Sequence, residues 1–140
     1  MASILKVDEL QGKTTAKTVT VTVGASATQS LEQGLAKVWL DQTSRTGHAT
    51  NDSFNISSVA DTSAGKMSPA FSNNMNAANY SAICSGISQY GDSASGGADF
   101  TACDTSNRAS SGCRLITLDY NDAGSQDAER VDLAVFGDLA

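Results

Sequence analysis

"NDSFNISSVADTSAGKMSPAF", residues 51–71, is the stretch on which the fold turns. Phe54 and Ile56 alternate with polar residues, turn formers cluster from Asp61 to Gly65, and Met67 and Phe71 alternate again. Period-two alternation broken by a glycine-containing turn predicts a β-hairpin. Phe54, Ile56, Val59, Met67 and Phe71 are expected to point inward. The Ser, Thr and Asn residues between them suit turns and a solvent face that resists wrong edge pairing.

Upstream, "KTVTVTVG" (17–24) sets Val19, Val21 and Val23 against threonines, the strongest strand signal in the chain. In "ATQSLEQGLAKVWLDQ" (27–42), Leu31, Leu35, Val38 and Trp39 fall at helical spacing, and Thr28 or Ser30 could cap a start. Gly34 disfavours a helix interior by about 1 kcal/mol, so a strand from about Ala36 is favoured. Downstream, "AANYSAICSGISQY" (77–90), "FTAC", "CRLITLDY" and "RVDLAVFG" supply further strands, and "GDSASGGAD" (91–99) is a small-residue loop.

Counting from residue 18 gives about eight short strands. The expected fold is therefore all-β: an antiparallel β-sandwich or jelly-roll-like domain with an N-terminal attachment arm. Residues 1–17 form the arm, 18–35 a strand and connector, and 36–140 the C-terminal sandwich. Trp39, Phe54, Ile56, Val59, Phe71, Tyr80, Leu133 and Val135 are the expected core. Pro69 marks an edge or a bulge, because proline cannot donate to a ladder.

Several strands are apolar on both faces. Tyr80, Ala82 and Cys84 oppose Ile83 and Ile87, while Val131, Leu133 and Val135 oppose Ala134 and Phe136. A monomeric sandwich normally keeps one face of each strand wet. The second apolar face implies a subunit interface. Small size points the same way, since surface-to-volume scaling leaves a short chain much exposed apolar area.

Fifteen acidic residues against nine basic ones give a net charge of -6, and no Lys or Arg run occurs. A phosphate backbone would be repelled, so no nucleic-acid partner is expected. The apolar runs fall far short of the roughly 20 residues that span a bilayer, and no membrane insertion is expected. "MASILKVDELQGK" carries acids early and lacks an export-type apolar stretch, so cytoplasmic synthesis of a soluble chain is expected.

Chemical equipment is sparse. The single histidine, His48, is read as an exposed loop residue, and no "C-x-x-C" or "G-x-S-x-G" occurs. "DYNDAGSQD" (119–127) has the oxygen-rich character of a calcium loop, but Arg130 stands where the known pattern has Glu. Cys84, Cys103 and Cys113 are read as ordinary thiols, with a Cys103–Cys113 bridge across "DTSNRASSG" sterically conceivable. Asn51, Asn55 and Asn79 each begin an N-x-[ST] triplet, read as chance in a chain rich in these residues. Neither catalysis nor a cofactor is expected.

A family resemblance rests on an ordered string of residues. Lys37 and Trp39 are followed by Asp52, Ser53, Phe54, Asn55, Ile56, Ser57 and Ser58, then Asp61, Gly65, Phe71, Met75, Ala78, Asn79 and Tyr80. With "MASILKVDELQG" and "RVDLAVFG", this string resembles the short tail-fibre and fibre-like virion proteins of marine bacteriophages. Met67, where an aromatic is usual, and Pro69, where a β-branched residue is usual, depart from the pattern. Residues 91–112 lie outside it.

The resemblance implies a homotrimeric virion component assembled in the host cytoplasm: a small fibre, spike or capsid-decoration subunit without a cofactor. On that reading Ile4, Leu5, Val7 and Leu10 anchor the arm to other virion proteins, and Val19, Val21 and Val23 pack at the trimer interface. The alternative expectation is a receptor- or glycan-binding module at a fibre tip, with Tyr90 and Asp92 in a recognition loop.

Overall fold

A computed structural model describes residues 7, 9–10, 19–23, 27–43, 48–87, 99–119 and 124–140. The chain divides into two compact units, residues 1–35 and 36–140. Among the described residues, no helix is long and apolar enough to cross a membrane.

In the first unit, β1 (Thr20–Val23) pairs antiparallel with β2 (Ala27–Ser30), Thr20 opposite Ser30 and Val23 opposite Ala27. A single helical turn, α1 (Leu31–Gly34), follows. Ser30 caps it by accepting from the Gln33 amide at 3.4 Å, the local side-chain bond that favours serine at this position. Gly34 is the last residue of that turn, so its weak helix propensity costs little.

The second unit is an antiparallel β-sandwich of two four-stranded sheets. Its strands are β3 (Val38–Thr43), β4 (Ala49–Phe54), β5 (Ile56–Ser63), β6 (Lys66–Phe71), β7 (Ser81–Ile87), β8 (Asp99–Cys103), β9 (Leu115–Asp119) and β10 (Arg130–Phe136). One sheet runs in the order β4-β3-β10-β7 and the other β5-β6-β9-β8.

The quoted stretch is only partly one hairpin. β5 and β6 do pair, Ile56 opposite Phe71 and Asp61 opposite Met67, around a turn at Ala64–Gly65. Gly65 is at φ 68, and a Cβ there would lie 2.5 Å from the Gln126 amide nitrogen, so glycine is required twice over. Residues 51–54, however, belong to β4 in the opposite sheet. Asn55 makes the crossing in the left-handed region, at φ 60. Its Nδ2 donates to the carbonyls of Lys37 and Asn73, both at 3.1 Å, and its Oδ1 accepts from the Asn73 amide at 2.7 Å. Asparagine tolerates this backbone better than other residues with a Cβ, and here its side chain ties both ends of the corner.

The core lies between the sheets. Val38, Leu40, Val131, Leu133 and Val135 from one sheet meet Met67, Phe71 and Leu115 from the other, closed by Met75, Tyr80, Cys113 and Ala128. Ile56, Val59, Ala82, Cys84, Cys103 and Leu139 pack against them while partly buried. Tyr80 and Phe71 meet edge to face at 5.9 Å between ring centroids, and the Tyr80 hydroxyl donates to the Gly112 carbonyl at 2.9 Å.

Two expected core residues are corrected. Trp39 is 37% exposed and Phe54 52% exposed. Alternation along β3 turns Val38, Leu40 and Gln42 inward, so Trp39 faces out although it is the largest apolar side chain of that strand. Phe54 follows because it pairs with Trp39 in register and because the Asn55 corner breaks its continuity with Ile56. Pro69 also departs from expectation. It sits in β6, an inner strand, but beyond Lys66 and Met67, the residues that pair with β9. Its carbonyl still accepts from the Cys113 amide at 3.2 Å.

Gln42 is fully buried, and neither atom of its amide has a hydrogen-bond partner. Thr101 and Thr117 satisfy each other across β8 and β9 at 2.9 Å. Gly86 faces Thr101 so closely that a Cβ would lie 2.2 Å from the Thr101 hydroxyl.

Candidate functional site

Two arrangements in the sandwich unit go beyond packing. The first is the outer face of the β4-β3-β10-β7 sheet. Register places Phe54 opposite Trp39, Trp39 opposite Ala134, and Ala134 opposite Ile83. These four side chains form one apolar row across all four strands. Ile83 is 62% exposed, more than either aromatic.

The neighbouring row is acidic: Asp52 opposite Asp41, Asp41 opposite Asp132, and Asp132 opposite Ser85. Arg130 Nε donates to Asp41 at 2.8 Å and lies 3.6 Å from Asp132. Asn51 Nδ2 donates to the same Asp41 oxygen at 3.0 Å, and Ser85 donates to Asp132 at 3.0 Å. The Asn51 bond, aided by the Arg130 bond and charge, holds the Asp41 carboxyl below the usual carboxylate range. Asp41 is therefore held ionised and in place beside the apolar stripe. On the other sheet Phe100 and Leu118 are cross-strand partners and exposed, but they form a pair rather than a row crossing the sheet.

The second arrangement gathers the three cysteines, all free thiols. Cys84 comes from β7, Cys103 ends β8, and Cys113 lies just before β9. The connecting loop is fixed by Asp104, whose carboxylate accepts from the Ser106 amide and hydroxyl, from Asn107, and from Arg114 Nε at 2.9 Å. Those bonds, the Ser106 ones foremost, hold Asp104 well below the usual carboxylate range. Arg108, within the loop, donates from Nη1 to the Tyr80 carbonyl at 2.8 Å and stacks 5.1 Å above the Tyr80 ring.

The neighbouring Cys113 thiol, with help from Arg108, lowers Cys103 below the usual thiol range against an opposing effect of burial. Its interaction with Cys103, then burial, pushes Cys113 up. Burial pushes Cys84 up to about 11.

His48, expected exposed, is half-buried and at φ 47, with Nε2 3.1 Å from an Asp61 oxygen. Among the described residues no group of three His, Cys, Asp or Glu could hold a metal ion. Val7, Leu10 and Val21 are exposed, and Val19 is half-buried. Val21 lines a shallow cleft of about 200 Å³ with Leu31 and Leu35. Ile4, Leu5, Tyr90, Asp92 and the Val23 side chain lie outside the described residues.

Ile83 and Ala134 were legible as an opposing apolar face, because their strands alternate apolar residues on both sides. Arg108 was missed. The available signal was its place midway between two cysteines in a loop without another cation. Comparisons with protein-family models, curated proteins and solved structures returned no match to the chain.

Proposed function

We propose that this chain is an assembly subunit of a bacteriophage particle, a small fibre, spike or capsid-decoration protein that acts as a homotrimer. The observation that carries the reading is the apolar row Phe54–Trp39–Ala134–Ile83, bordered by the row of aspartates. A strand that alternates apolar residues on both faces has two surfaces to cover, and one sandwich core covers only one. At these exposures the row offers roughly 300 Å² of apolar surface per copy, worth about 7 kcal/mol if buried at ~25 cal/mol per Å². That is comparable to the freedom lost on association. It is also less than the roughly 800 Å² per partner of a standard interface, so the row is the centre of a contact and the polar residues around it are the rim. The sequence resemblance over residues 37–80 supplies the particle context.

The exposed Val7 and Leu10 fit an arm that adds to a neighbouring protein. Sedimentation equilibrium of the full chain at tens of micromolar tests the assembly claim. The expected mass is three times the 14.4 kDa chain. A well-folded single chain at that concentration refutes it. Deleting residues 2–12 tests attachment: the truncated protein should keep its oligomeric mass and fail to join particles, and full incorporation would show that the arm does not anchor it.

A further inference from the structure

We infer that the outer face of the second sheet, centred on Phe100 and Leu118, receives the Phe54–Trp39–Ala134–Ile83 row of a second copy of this chain. The inference rests on the assembly reading and adds one thing to it. The contact is head-to-tail, row to patch, rather than row to row.

Alternation along β8 and β9 builds the patch. Thr101 and Thr117 are buried and bond each other at 2.9 Å, so Phe100, Ala102, Ile116 and Leu118 face outward. Phe100 stands opposite Leu118, and Ala102 opposite Ile116. Phe100 is 64% exposed, the highest value among the large apolar side chains of the described residues.

A cation borders the patch where carboxylates border the row. Lys66 on β6 is opposite Ile116, and its neighbour Met67 is buried, so Lys66 faces outward too. Among the described residues Lys66 has no ion-pair partner. On the other face, Asp52, Asp41 and Asp132 form the row that holds a single cation, Arg130. In both faces the charge lies two residues along the strand from the large apolar side chains, a step of about 7 Å. Laying Phe100 and Leu118 on the row, with the strands in the matching direction, brings Lys66 to the level of the aspartates.

Row against row does less. A twofold contact of that kind leaves Phe100 and Leu118 in water, brings no lysine to the aspartates, and closes at two copies. A cyclic trimer is instead built from one heterologous contact, in which each copy offers two different surfaces. Using both covers roughly 500 Å² of apolar area per copy, against roughly 300 Å² for the row alone. Because β8 is the edge strand of its sheet, the patch lies at a rim. A rim laid on a face turns each copy relative to the last, as closure of a ring requires.

Two full-length variants, alone and mixed, test the contact. Trp39→Ser with Ile83→Ser disables the row, and Phe100→Ser with Leu118→Ser disables the patch. Each, folded by circular dichroism, should sediment as a single chain at concentrations where the parent is a trimer. Mixed in equal amounts at the highest soluble concentration, they should form a species of twice the 14.4 kDa chain and nothing larger. One intact row then meets one intact patch, and no intact surface remains to extend the complex.

A patch variant that keeps the parent's mass overturns the head-to-tail contact and leaves the assembly reading standing. Two monomeric variants that never pair overturn it as well. A parent that is itself a single chain removes the assembly reading, and this contact with it. Lys66→Glu leaves every apolar residue in place and covers the case in which a serine variant fails to fold. It should weaken self-association on the order of tenfold at low salt, and by less at high salt. Association equal to the parent's at low salt overturns the proposal.

Discussion

Replacing Asn55 tests the account of the sheet crossing most directly. The substitution Asn55→Ala removes four hydrogen bonds: those its Nδ2 donates to the Lys37 and Asn73 carbonyls, and those its Oδ1 accepts from the Asn73 amide and from Asn73 Nδ2. Only the Lys37 bond is partly buried, so the four together contribute about 2 kcal/mol, at the low end of the usual 0.5–1.5 kcal/mol each. Alanine at φ 60 adds a left-handed backbone penalty of roughly 1 kcal/mol that asparagine largely escapes. The sum is about 3 kcal/mol, or a melting-temperature loss of roughly 10–20 °C in a domain of this size. Asn55→Gly loses the same bonds without the backbone penalty and should be less damaging by about 1 kcal/mol. Urea denaturation of both variants, followed by circular dichroism, gives the two numbers. If both variants unfold within 0.5 kcal/mol of the parent, or if alanine is better tolerated than glycine, the corner is not held by this side chain.

Three further outcomes are expected. Gln42→Met exchanges an amide without partners for an apolar side chain of similar length in the core, and should raise stability by about 1–2 kcal/mol in the same urea assay. The double change Trp39→Ser and Ile83→Ser keeps every inward-facing residue and should leave the fold intact by circular dichroism while dissociating the oligomer by light scattering; an unchanged mass would remove the outer row from the interface. Asp104 titrates below its unfolded value, so its contribution to stability is present above the ordinary carboxylate range, near pH 4, and is lost as pH falls through its folded value. Between pH 5 and 2, the stability gap between the parent and Asp104→Asn should therefore narrow.

The strands were legible because their alternation is a direct image of the pleat: Val131, Leu133 and Val135 read inward and are inward. The β5–β6 turn was legible because Gly65 is needed there. What alternation could not reveal was which sheet each strand joins. Phe54 and Ile56 share a parity, and a continuous strand would place them on one face. A single residue in the left-handed region separates them instead, and nothing in the pattern distinguishes Asn55 from its neighbours Asn51 and Asn79, which begin the same kind of triplet. The displaced Trp39 has the same origin. Hydrophobic size argued for the core, but the valine and leucine on either side had already taken the inward parity.

The site was harder to read for a related reason. A row across a sheet is assembled from one residue on each of four strands, and its members are separated by up to 95 residues of chain, from Trp39 to Ala134. Each is unremarked alone: an aromatic, an isoleucine, an alanine. Only register brings them together, and register here depends on the Asn55 crossing, because that corner ends β4 opposite Trp39. The cysteines come together in another way: Cys84 is on β7 of one sheet, Cys103 on β8 of the other and Cys113 just before β9, so their proximity is a property of sandwich closure. Loosening the Asn55 corner should weaken the row and lower oligomer mass. A corner variant that unfolds more easily yet keeps its oligomer mass would mean that the β4–β5 crossing does not organise the outer face.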